Sequence, residues 1–90
     1  MTREQLRTAS EELRMASEGA VDPDIERRLH DQSDQFATLA TADHGPDHGR
    51  LARHLNALKE IREEASEEVT EQIEAAEAAI TAYRETVEGV

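Results

Sequence analysis

LARHLNALKEIREEASEEVTEQIEAAEAAITAYRETV, residues 51–87, decides the fold. Within it Leu51, Leu55, Leu58, Ile61, Ala65, Val69, Ile73, Ala76, Ile80, Tyr83 and Val87 recur at steps of three or four without a miss. That is the period of one buried helical face. From Val69 onward the steps alternate four and three, the seam spacing of helices that pack side by side. Ser66-Glu67-Glu68 reads as a fresh N-cap with an acidic first turn, although neither Gly nor Pro marks a break and the apolar period runs through it. Left unbroken, the segment would be about 60 Å long at 1.5 Å per residue. A break near residues 64–66 makes its halves match the helices that precede them.

Upstream, Thr2 and Gln5 have the spacing of a capping box, and Leu6, Ala9, Leu13 and Ala16 mark a first stripe that Gly19 is placed to end in a left-handed turn. Asp22-Pro23 restarts the chain as N-cap and first helical residue. Ile25, Leu29, Phe36, Leu39 and Ala40 carry the second stripe, interrupted by Gln32 and Ser33. A thin, solvated seam is expected at that interruption, ahead of a polar layer that fixes register. Gly45 and Pro46 close helix two, and Asp47 caps the next. The expected fold is all-α: a small antiparallel four-helix bundle forming one domain, with helices at about 3–18, 23–43, 48–64 and 67–88. The alternative is a helical hairpin packed on one long C-terminal helix that pairs with a second copy.

Ninety residues bury only about 60 per cent of the unfolded chain's surface, and the core is lean. Self-association is therefore expected, and Ala75, Ala78, Ala79 and Ala82 broaden the last helix's apolar face enough to serve it. The 21 acidic residues stand against nine Arg and one Lys, giving a net charge of −11. Such a surface repels itself at low ionic strength and suits a cytoplasm rich in salt. It also makes nucleic acid an unlikely ligand, because the phosphate term is repulsive. There is no cysteine, hence no disulfide or thiolate chemistry. No apolar run reaches the roughly 20 residues of a membrane span, and the polar N-terminus is not a signal peptide.

Two chemistries compete at residues 43–59. Asp43, His44, His48 and His54 are the right residue types for a transition metal, with Asp47 as an alternative carboxylate, yet no ligand spacing such as His-Glu-x-x-His occurs. His48, Arg50, Arg53 and Lys59 form a cationic run without an acidic residue, at a helix start where free N–H groups already favour anions. Neutralisation of neighbouring acidic faces is the plainer account of those cations. His30 has no partner in sequence. Neither a nucleophile elbow nor a phosphate loop appears, so no enzyme activity and no cofactor is expected.

The runs Gln5 to Arg14, Gly45 to His54 and Tyr83 to Val90 resemble a family of short, acidic, uncharacterised proteins from halophilic archaea. That resemblance implies an all-helical fold and a salt-rich cytoplasm, and transfers no catalytic residue. The expected role is a self-associating protein-interaction or regulatory accessory module. Alternatives are an anion or metal binder using residues 43–54, and a DNA-associated regulator in which helices two and three cross as a helix-turn-helix.

Overall fold

The computed structural model describes residues 3–87. The described residues form four helices: α1 (Glu4–Gly19), α2 (Pro23–Thr41), α3 (His48–Glu64) and α4 (Glu67–Arg84). They form a ring in which α1 lies beside α2 and α4, and α3 lies beside α4 and, more distantly, α2. Every neighbouring pair is antiparallel. The Cα radius of gyration is 12.3 Å, as expected for a compact chain of about this length. A long helix extending alone would have raised it.

The break that closes the ring falls at Ala65-Ser66. Ala65 is extended at ψ 161°, and Ser66 caps α4 by accepting the Val69 N–H at 3.4 Å. Asp22 caps α2, its Oδ1 accepting from the amides of Asp24 at 2.8 Å and Ile25 at 3.5 Å, with Pro23 at the first helical position. Asp47 caps α3 through the Arg50 amide at 2.8 Å. These three caps set where the chain turns, since each satisfies donors that the helix itself leaves free.

The stripe of residues 51–87 faces inward along its whole length. Leu51, Leu58, Ile61, Val69, Ile73, Ala76 and Ile80 are buried, while Leu55, Ala65, Tyr83 and Val87 are partly buried against them. Phe36, Leu6, Leu13 and Leu29 complete the centre.

Three local expectations give way. Gly19 is the last residue of α1 and no described glycine has positive φ; the turn is made by extended Ala20 instead. Helix two ends at Thr41, two residues early, and Gly45 does not close it. The lack of a side chain at Gly45 has another use, because a Cβ there would lie 2.5 Å from the Tyr83 hydroxyl and 2.9 Å from Arg3 Nε. The last helix ends at Arg84; Glu88 lies outside the described residues, as does Thr2, and Arg3 takes the N-cap position of α1.

The interruption at Ser33 is a polar layer and not a solvated gap. Ser33 is buried, its hydroxyl donating to the Ser10 carbonyl at 2.8 Å while the Ser10 hydroxyl donates to the Ser33 carbonyl at 2.8 Å. Two small side chains let α1 and α2 approach closely and tie them at a single register. Among the described residues, no helix is long and apolar enough to cross a membrane.

Removing the Asp22 cap is expected to cost about 1 kcal/mol. That corresponds to a fall of about 4–8 °C in melting temperature for a domain of this size. Thermal circular dichroism of Asp22→Ala checks it, with Ser66→Ala expected to lose less because its bond is longer.

Candidate functional site

Ten cationic side chains are present, and those without a partner in the fold all belong to one helix. Arg3 donates through Nη1 to the carbonyls of Leu39 at 3.1 Å and Ala42 at 2.7 Å, closing the end of α2, where that helix has no cation of its own. Arg7 pairs with Glu11, Arg14 with Glu18, and Arg27 with Asp24. Arg28 bridges Asp24 and Glu64, and Arg62 reaches Glu74 and Glu77. Arg84 donates to His48 Nδ1 at 3.2 Å. Among the described residues, Arg50, Arg53 and Lys59 are left with neither an ion pair nor a side-chain hydrogen bond, and all three lie exposed on α3. None of these three makes a direct ion pair with a neighbouring acidic face.

The start of α3 is built by Asp47 and braced from the C-terminal segment. Pro46 is buried, and His48 is held at both nitrogens, with Nδ1 taking the Arg84 hydrogen bond and Nε2 lying 3.2 Å from the Val87 carbonyl. Both contacts are satisfied when the proton sits on Nε2. His48 thus anchors α3 to the end of α4 and is not turned outward with Arg50 and Arg53.

His54 has a structural place too. It is only 7% exposed, its ring centroid 4.7 Å from that of Phe36 and its Nδ1 2.8 Å from Gln32 Oε1. Since the amide oxygen accepts, Nδ1 carries the proton. Burial, reinforced by the charges of Arg50 and Arg53, pushes the His54 pKa below its usual value and keeps the ring neutral. Gln32, whose position in sequence suggested only an interruption, is the partner that makes this burial tolerable.

The metal reading required Asp43, His44, His48 and His54 to converge. His54 faces α2, His48 faces the end of α4, and Asp43 and His44 are exposed on the linker. Among the described residues, no cluster of three or more His, Cys, Asp or Glu side chains is arranged to hold a metal ion. His30 lies 3.4 Å from Asp34 on an exposed turn of α2. The crossing that a helix-turn-helix needs is not formed either. Contacts at both levels, His54 to Gln32 and Arg28 to Glu64 at 3.0 Å, show α2 and α3 running alongside one another.

On the α3–α4 side, Arg62 Nε approaches Glu77 Oε1 at 3.3 Å without the alignment of a hydrogen bond. Burial pushes the Glu77 pKa up, the Arg62 charge pulls it down, and Glu74 pushes it up again.

Fold and site together define a small all-α bundle whose third helix carries Arg50, Arg53 and Lys59 exposed and without a partner in the fold. The chain belongs to a family of unknown function, DUF7553, whose model matches residues 1–86. Neither a curated protein nor a solved structure is significantly similar to it.

The neutral state of His54 sets a pH dependence. Because its folded pKa lies below the ordinary value of 6.5, the unfolded chain binds more protons as pH falls through that value. Stability from this group is complete above about pH 6.5 and is lost as pH falls toward the folded pKa. The wild-type melting temperature, measured against His54→Gln from pH 7.5 to 5.5, should lose ground as pH falls. Subtracting the variant cancels Glu77, whose raised pKa acts in the opposite sense.

Proposed function

We propose that this chain is a small interaction module that takes up an acidic partner segment at the start of α3, on the face that Arg50 and Arg53 share one turn apart. The observation that carries it is the sorting of charge: every other described Arg is engaged within the fold, while Arg50 and Arg53 are not, and neither is Lys59 further along the same helix. Exposed, unpaired guanidinium groups keep both the charge and the fork geometry that carboxylates accept. The start of α3 adds its dipole in the same direction. The role is one of binding and not of catalysis, and a regulatory or accessory partner is its natural context.

The same reading includes a salt-rich cytoplasm and self-association. The excess of acidic residues, 21 against 10 cations, supports the first. A favourable surface for the second is the α4 flank, where Ala75, Ala78 and Ala82 are exposed and Ala79 is partly buried against the core.

An Asp/Glu-rich peptide titrated into the labelled protein should give saturable amide shifts centred on residues 50–59. Arg50→Glu combined with Arg53→Glu should weaken it at least tenfold, because like charges replace attraction. Arg7→Glu, outside that face, should leave it within a factor of about two. Equal loss in both variants would mean that the peptide reads net charge and not this helix.

For self-association, light scattering in molar KCl should report more than one copy for the wild type and a lower mass for Ala78→Glu. Helical circular dichroism should fall as the KCl is withdrawn. A monomer that stays folded in dilute buffer would remove both elements of the proposal.

A further inference from the structure

The opposite end of the bundle carries a second surface. There the turn between α1 and α2 meets the turn between α3 and α4, and they enclose a hollow of about 160 Å³ lined by Ala20, Val21, Ile25, Ala65 and Val69. Beside it, across Val69, a second hollow of about 200 Å³ opens between α1 and α4, bordered by Met15, Gly19 and Gln72. Val21 is 97% exposed and Met15 51%. They are the exposed large apolar side chains of the described residues, and each borders one of these hollows. Scattered exposed apolar groups are ordinary, whereas adjacent ones rimming a recess mark a binding surface.

The size of the first hollow is informative. An apolar cavity near 150 Å³ accepts a benzene-sized group, so a single large aliphatic or aromatic side chain fits it. Ile25 and Val69 at its floor are 4% exposed each, and a guest would cover what remains of them.

Charge decides what surrounds that side chain. Asp22 and Glu64 line the first hollow and Glu68 the second, with Glu67 beside them in the first turn of α4. Asp22, Glu67 and Glu68 have no ion pair among the described residues, while Arg14, Arg27, Arg28 and Arg62 near this end are each already paired and Lys59, five residues before Glu64 on α3, is the one unpaired cation close to it among the described residues. The unpaired charge lining the hollows is negative, the reverse of the Arg50–Arg53 side at the start of α3.

The geometry points to a docking site for a basic amphipathic segment of a partner protein, with one large apolar side chain in the Val21–Val69 hollow and Lys or Arg on the acidic rim. The apolar anchor supplies the affinity and the rim supplies the choice of partner. It stands independently of Arg50 and Arg53, which offer the opposite charge at the other end of α3.

A helical peptide of leucine and lysine at three- and four-residue spacing is the probe, added to the labelled full chain at the lowest salt that keeps it folded. Saturable shifts confined to residues 15–25 and 64–72 are expected. Val21→Asp and Met15→Ser, both at exposed positions, should weaken binding tenfold or more with the circular dichroism unchanged. A peptide with serine for leucine should bind at least tenfold less well, and one with glutamate for lysine should not bind. Arg50→Glu with Arg53→Glu should leave the leucine–lysine peptide's site unchanged. Shifts spread over every acidic face, equal binding of the serine peptide, or no binding would overturn the proposal. So would a wild-type mass above the monomer that Val21→Asp alone lowers, since a second copy would then be the occupant.

Discussion

The bundle depends on one constraint: a continuous apolar stripe must be buried, and the chain that carries it turns back at Ala65-Ser66. A single helix from His48 to Arg84 would present that stripe to water along most of its length. Folded at Ser66, its two halves face each other and the α1–α2 hairpin, and Leu51, Leu58, Ile73 and Ile80 are fully buried. A serine hydroxyl at a helix start is a modest interaction. It suffices here because the alternative leaves half the core uncovered.

The four seams of the ring are built differently. Between α1 and α2, Ser10 and Ser33 exchange hydrogen bonds at close quarters, and Arg3 ties the start of one helix to the end of the other. Between α2 and α3 the helices stand further apart, and polar links bridge them: His54 to Gln32, with Phe36 against the imidazole, and Arg28 to Glu64. The loosest seam therefore belongs to the helix that carries the unpaired cations. That combination suits a helix whose surroundings change when a partner arrives, since sparse packing leaves local motion inexpensive.

Much of this architecture was legible in residues 51–87 and in the caps. Asp22-Pro23, Asp47 and Ser66 act within three residues of themselves, so local chemistry was enough to locate three helix starts to the residue. Contacts made across the fold were not legible. Gly45 answers to Tyr83 and Arg3, and Ser33 to Ser10, through proximity that no local pattern encodes. His54 had a signal that was passed over: with Leu51, Leu58 and Ile61 it completes a three–four–three stripe, placing it among core positions and away from the loop histidines. The cationic run was visible as a run, but its unpaired state emerged only once Arg28, Arg62 and Arg84 were seen to have partners.

Hydrogen exchange of the backbone amides, followed with and without an acidic peptide, tests the central claim that α3 is both the least tightly held helix and the receiving face. The account predicts that α3 amides exchange faster than those of α1 and α4 in the free protein and gain protection when the peptide is added. Uniform exchange across the four helices, or protection that appears elsewhere while α3 is unchanged, would contradict it.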